Sequence, residues 1–253
     1  MDSSEEERDR DRAVINSSDP APKAVLLVGG LGTRLRPVVH SAPKSLAPIG
    51  DQPFLVLLVR QLANQGIKRL VLCTGYLANQ IETVFGDGSE FGVTIEYSRE
   101  PQALGTAGAI KFAQSLLDRL PYFLAMNGDS FLKVDFNELI AAHRMYDGLA
   151  TLAVVSVSNA SRYGTVRINS QNRIIEFCEK TGQDSPGLIN GGVYVFSPKL
   201  LDHIPGGPSS LEKEVFPNIL RHGVYAMEQE GTFIDIGTPA DYEHAQTLFE
   251  HGV

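Results

Sequence analysis

Between Gly29 and Lys44 the chain gathers what a polyanion would need. Gly29-Gly30-Leu31-Gly32-Thr33-Arg34-Leu35-Arg36-Pro37 is followed by Pro43-Lys44, so Arg34, Arg36 and Lys44 bring three fixed cations into eleven positions. Glycines let backbone N–H groups approach an anion closely, because no Cβ intervenes and positive φ is open to them. A triphosphate matches that concentration of charge. Two acids follow apolar runs: Asp129 comes after YFLAMN (122–127) and Asp235 after TFI. A carboxylate at a strand end lies where ligands bind in open α/β sheets, and a pair of them suits a hard cation that keeps its waters and bridges phosphates. No His/Cys grouping has the spacing of a zinc site, so the histidines read as surface or ordinary core residues.

Two familiar readings of the loop can be tested directly. A dinucleotide fingerprint requires G-x-G-x-x-G, and Leu35 stands at its third glycine, with no acid closing the second strand at Leu72-Cys73-Thr74. A P-loop requires Gly-Lys-Ser/Thr, and Gly32 is followed by Thr33-Arg34. The dinucleotide reading is weak, and the P-loop reading fails on its residues. A plain glycine turn with solvated arginines would leave Pro43-Lys44 unexplained.

The chain has 253 residues and a formal charge of -8, from 22 Lys+Arg against 30 Asp+Glu. Such a balance argues against a broad nucleic-acid surface, so an anion must be held locally. Cys73 and Cys178 lie in apolar runs and form no disulfide or metal pattern, which fits a reducing compartment. The longest clean apolar run, Phe54 to Val59, is far short of a membrane span. Residues 1–22 are acid-rich, end in two prolines and read as a solvated tail rather than a signal peptide. A cytoplasmic, non-membrane protein is expected.

These residues need elements to hold them. From Lys23 onward KAVLLV, PFLVLLVRQLANQG, RLVLCT and ANQIETVF alternate strand and helix patterns, which predicts an α/β fold with a Rossmann-like, mostly parallel central sheet and helices on both faces. The alternation continues through strands at 93–98 and 122–127 and helices at about 106–117 and 136–144. After Gly148 strands dominate (ATLAVVSVS, TVRI, RIIEFC, GGVYVF), and a smaller second layer of mixed strands is expected, with late helices near 211–220 and 240–249. Val25, Leu27, Leu70, Leu72, Phe123, Leu124 and Val193 are the core candidates.

The loop GGLGTRLRP…PK resembles the signature of the sugar-1-phosphate nucleotidyltransferases. Further blocks match in order over 23–249: GDGSEFG, EPQALGTAGA, NGDS, RYGTV, EFCEK, NGGVYVF, SLEKEVFP and FIDIGTPADY. Within that family they look most like the D-glycero-α-D-manno-heptose 1-phosphate guanylyltransferases, with the mannose-1-phosphate enzymes next. Val28 departs from the family's usual alanine and would narrow the nucleoside pocket. Nothing matches a C-terminal left-handed β-helix, so no acetyltransferase activity is implied.

The resemblance implies a GT-A-like fold, with 23–147 as a nucleotide-binding half and 148–253 as a sugar-phosphate half. It implies attack by a sugar phosphate on the α-phosphorus of a nucleoside triphosphate, with Mg²⁺ on Asp129 and Asp235. Arg34 and Lys44 then hold the triphosphate, together with Gly29, Gly30, Gly32 and Thr33, and Arg34, Lys44 and Asp129 form the catalytic set. Glu100 faces the Watson–Crick edge of the base, and Gly105 and Thr106 lie beside it. A carboxylate there accepts both guanine donors, N1–H and N2–H₂, which favours GTP over UTP or dTTP. Tyr163, Gly164, Glu179, Lys180, Asn190, Gly191 and Lys213, with Gly192, are placed on the sugar-phosphate side. Partners are therefore a nucleoside triphosphate and a sugar 1-phosphate, without nucleic acid or membrane, and relatives of the family are often homo-oligomers. Mannose as the sugar, uridylyl or thymidylyl transfer, and a silent nucleotide-sugar-sensing subunit are the competing readings.

Overall fold

The computed structural model describes residues 21–250 except Arg36, His40, Asp118, 179–181 and Gln183. The tail expected over 1–22 thus lies almost wholly outside the described residues. In chain order the elements are β1 (Lys23–Leu27), the hairpin β2 (Pro48–Ile49) and β3 (Gln52–Pro53), α1 (Phe54–Asn64), β4 (Arg69–Thr74), α2 (Ala78–Phe85), β5 (Thr94–Arg99) and α3 (Gly105–Phe112). There follow β6 (Phe123–Asn127), β7 (Ser130–Leu132), α4 (Phe136–Tyr146), β8 (Ala150–Val157), β9 (Thr165–Ile168), β10 (Ile174–Cys178) and β11 (Gly187–Phe196). The chain closes with a wide π-type turn (Leu211–Val215), α5 (Phe216–Ile219), β12 (Val224–Glu228), β13 (Phe233–Asp235) and α6 (Pro239–Glu250).

β1 pairs in parallel with both β4 and β6, and β4 pairs in parallel with β5. A strand buried on both faces reads as a continuous apolar run, and its alternate residues enter different cores. Ala24, Leu26, Leu70, Leu72, Leu124 and Met126 enter one core, with α1 and α4. Val25, Val71, Cys73, Phe123 and Ala125 enter the other, with α3 and the segment from Leu211 to Ile219. α1 presents Phe54, Leu55, Leu58, Val59 and Leu62 on one stripe, and the chain turns away through Gly66 at φ 84°. Asp135 caps α4 by accepting from the Asn137 and Glu138 amides. His143, in α4, is buried against the Thr151 hydroxyl at 3.0 Å.

The strands after Gly148 do not make a second layer. β11 pairs antiparallel with β6, β8 pairs antiparallel with β11, and β12 pairs in parallel with β8, so they extend the same sheet. The β9–β10 ribbon joins β11 at Ile189, on the first half of that strand, and an isolated bridge ties Arg173, just before β10, to Tyr225 of β12. β11 thus forks the sheet, and a bulge between Asn190 and Val193 lets its two halves take different partners. The expected helix at 211–220 is broken instead into the π-type turn, α5 and a 3₁₀ turn. Pro217 lacks the amide that would continue the helical ladder from Lys213. Among the core candidates Leu27 alone is only half-buried, because it lines a cleft. Among the described residues no helix is long and apolar enough to cross a membrane.

Candidate active site

At the carboxyl ends of β1, β5 and β6 lies a cleft of about 460 Å³, the usual ligand position in an open α/β sheet. The glycine loop forms one wall, and Glu100, Gly105 and Thr106 form another. Gly32 has φ 57°, and a Cβ on it would stand 2.9 Å from that of Lys44, so this glycine both permits the turn and leaves Lys44 its path into the cleft. Val28 is buried on the cleft wall against Gly128.

Glu100 directly follows β5. Its amide donates to the Thr74 carbonyl at 2.8 Å, and its Oε2 accepts from the Leu104 amide at 3.0 Å. Oε1 lies beside Gly29, 2.6 Å from where a Cβ on that residue would be. Burial raises the Glu100 pKa above the ordinary carboxylate value, offset in part by the Leu104 amide.

Arg34, Asn127 and Asp129 line both this cleft and a second one of about 440 Å³. At the junction Lys44 Nζ donates to Asp129 Oδ2 at 2.7 Å and lies 3.8 Å from Asp235 Oδ1. β7 and β13 bring the acids together: their antiparallel register sets Ser130 opposite Asp235, and the Ile236 amide donates to the Asp129 carbonyl at 3.0 Å. Burial, and then the Asp129 charge, raise the Asp235 pKa, while Lys44 and the Gly237 amide pull it down. Two carboxylates sharing one ammonium form a hard-oxygen donor set. Among the described residues no cluster of three or more metal-liganding side chains occurs. A cation seated here would therefore complete its shell with water and phosphate oxygens, as Mg²⁺ prefers.

The second cleft holds Tyr163, Gly164, Asn190, Gly192, Glu212 and Lys213. Asn190 Oδ1 accepts from the Gly192 amide at 3.0 Å, and its Nδ2 donates to the Tyr194 hydroxyl at 2.9 Å. Gly192, at φ 74°, opens toward Ser130 and Asn127; a Cβ there would lie 2.6 Å from Ser130 Oγ. Gly191 is absent from both clefts, since the bulge turns it inward against Leu132 and the Ala153 carbonyl. The Tyr163 ring packs edge-on against Phe233. Its neighbour Arg162 is tied to Asp241 of α6. Glu179 and Lys180, like Arg36, lie outside the described residues; Cys178, the last described residue before them, lines the cleft.

Three cleft residues escape a reading of the sequence. Asn127 and Ser130 flank the NGDS acid, and their Oδ1 and Oγ are buried without a hydrogen-bond partner. Glu212 adjoins Lys213, but only the fold shows that it lines the cleft. The NGDS block itself signals the first two; an isolated glutamate signals nothing.

A basic glycine loop over a parallel sheet, with two strand-end acids around a lysine, defines a site for phosphate chemistry on nucleotides. The chain matches the nucleotidyl transferase family over residues 23–251 and belongs to it. It is 38% identical over 234 residues to the mannose-1-phosphate guanylyltransferase of Mycobacterium tuberculosis, covering 91% of this chain and 65% of that protein. It is 35% identical over 230 residues to the mannose-1-phosphate guanylyltransferase catalytic subunit beta of Drosophila pseudoobscura pseudoobscura, covering 90% and 62%. The chain spans slightly less than two thirds of the length of these relatives. Among solved structures HddC from Yersinia pseudotuberculosis superposes with a TM-score of 0.81 at 32% identity, covering 90% of this chain and 99% of that one. HddC complexed with GMP-PN superposes equally well.

Proposed function

We propose that the chain transfers GMP from GTP to a sugar 1-phosphate of manno ring configuration, releasing pyrophosphate and forming a GDP-sugar. The observation that carries the base assignment is the Glu100 carboxylate, half-buried in the first cleft with one oxygen steered by the Leu104 amide. A desolvated carboxylate accepts only, so it rewards guanine's two donors and is left under-satisfied by the acceptor-rich edge of uracil or thymine.

The first cleft is built almost wholly from residues before 148 and the second mostly from later ones, which supports a nucleotide half and a sugar-phosphate half. A phosphate oxygen of the sugar attacks the α-phosphorus at the junction, and the bond from that phosphorus to the α,β-bridging oxygen breaks. Arg34 and Lys44 align and neutralise the two anions, so no protein nucleophile is needed. Asp129 and Asp235 would hold Mg²⁺, which when bound shields the phosphate charge. On the sugar, the RYGTV, GLINGGVYVF and SLEKE blocks favour the heptose form, whereas the named relatives act on mannose 1-phosphate. The two share a ring and differ at the exocyclic arm.

The test is pyrophosphate release from GTP, UTP, dTTP, CTP and ATP with each of D-mannose 1-phosphate and D-glycero-α-D-manno-heptose 1-phosphate, repeated on Glu100→Gln. GTP is expected to lead by at least about tenfold in kcat/KM, and the substitution to remove most of that lead. A wild-type preference for UTP or dTTP, or a glutamine variant that keeps the lead, contradicts the base assignment. A silent sensor would release no pyrophosphate with any pair.

A further inference from the structure

We propose that Thr106 is a positioning residue for the sugar phosphate, acting through Glu212 across the wall between the clefts. The inference rests on the guanylyltransferase reading above. Thr106 stands in the first turn of α3 and lines the first cleft, where its resemblance places it on the nucleotide. Its hydroxyl is already committed on the other side. It accepts from the Leu211 amide at 2.8 Å and donates to Glu212 Oε2 at 3.1 Å. A threonine hydroxyl has one proton and two acceptor lone pairs, so it has no proton left for a nucleotide.

Glu212 lines the second cleft beside Lys213. Its Oε2 also accepts from Ser210 Oγ at 2.9 Å, and Oε1 lies 3.5 Å from the fully buried Tyr194 hydroxyl, which in turn accepts from Asn190. Hydrogen bonds therefore run from the Thr106 side of one cleft to Asn190 in the other. Backbone bonds join the same segments at a single residue: the Ala107 and Gly108 amides donate to the Ser209 carbonyl, and the Ser209 amide donates to the Leu104 carbonyl. These anchor the chain just before the turn Leu211–Val215. The Thr106 hydroxyl grips the turn itself, at the two residues preceding Lys213.

Two effects follow for an anion entering the second cleft. The grip fixes the direction in which the turn presents Lys213. The donated protons of Thr106 and Ser210 also draw charge from the Glu212 carboxylate, which would otherwise repel a phosphate. A residue on the nucleotide wall thereby governs affinity for the other substrate.

The test is steady-state kinetics of Thr106→Val with GTP and whichever of the two sugar phosphates the wild type turns over faster, with GTP affinity read separately by calorimetry. The KM for sugar phosphate is expected to rise about tenfold, the size of one lost hydrogen bond to a charged group, and several times more than any change in the KM or affinity for GTP, whose cleft Thr106 also lines. Thr106→Ser, which keeps the hydroxyl, restores the wild-type values. Equal rises for both substrates, no rise for the sugar phosphate, or a serine variant that resembles the valine one would overturn the proposal. If Thr106→Val does not fold, Thr106→Ala removes the same hydroxyl with less bulk and must show the same split; its absence overturns the proposal too. A wild type that releases no pyrophosphate with any pair refutes the guanylyltransferase reading and this inference together. Release with an unsplit variant refutes the inference alone.

Discussion

A carboxyl group buried beside a second carboxylate holds its proton more tightly than one in water, and Asp235 sits in that position. Its folded-state pKa lies above the ordinary 3.8. The stability this group contributes is therefore fully present below that ordinary value and is lost as pH rises through the raised one. At neutral pH the ionised side chain is a liability to the apo fold, tolerated for what it offers a cation. Asp235→Asn should accordingly melt at a higher temperature than the wild type at pH 7.5 without divalent cations, and the gap should close as pH falls below the ordinary aspartate range. Added Mg²⁺ should raise the wild-type melting temperature and leave the asparagine variant unmoved. A variant that is less stable at pH 7.5, or that responds equally to Mg²⁺, contradicts this account. Asp129 and Asp235 would each read as a turn acid alone, and only beside the cations Arg34 and Lys44 do they point to one cleft, where the structure brings Lys44 against both acids. Glu212 was not legible, because its role depends on Thr106, more than a hundred positions earlier in the chain.

β11 shows how far an element's pattern can be trusted. Its run GGVYVF predicts a strand, and the strand is there, but alternation along it breaks at the bulge between Asn190 and Val193. Two neighbouring glycines consequently have opposite tasks that spacing alone does not separate. A Cβ on Gly191 would stand 2.6 Å from Leu132 Cδ2 and 3.0 Å from the Ala153 carbonyl, inside the packed layer. Gly191→Ala is expected to destabilise by about 1–3 kcal/mol in urea unfolding, with substrate KM values of the folded fraction little changed. Gly192→Ala, at positive φ on the cleft floor, should raise the KM for sugar phosphate. The reverse assignment in the two variants would show that the bulge is misplaced. β1, β4 and β6 were easier to read, because strands buried on both faces announce themselves as unbroken apolar runs. The strands after Gly148 carry similar patterns, but nothing local told whether they would found a new layer or lengthen the old one. That was settled by the long-range pairing of β11 with β6.

At the scale of the whole molecule, the same pairing sets an order of events during synthesis. Phe123, Leu124, Ala125 and Met126 of β6 are fully buried, and one flank of that strand is covered only by β11. Val193, the first residue of β11 to pair with β6, comes 66 positions after Asn127, so at roughly 5–20 residues per second the flank stays bare for about 3–13 s on the ribosome. An apolar strand with unpaired amides and carbonyls is a template for another chain. A chain ended at residue 186 should therefore form large oligomers in analytical ultracentrifugation, whereas the 253-residue chain should not. A soluble, monomeric fragment with β6 amides protected from exchange would disprove it. The strand that carries Asn190 and Gly192 to the second cleft is thus also the one that ends the nascent chain's exposure to its neighbours.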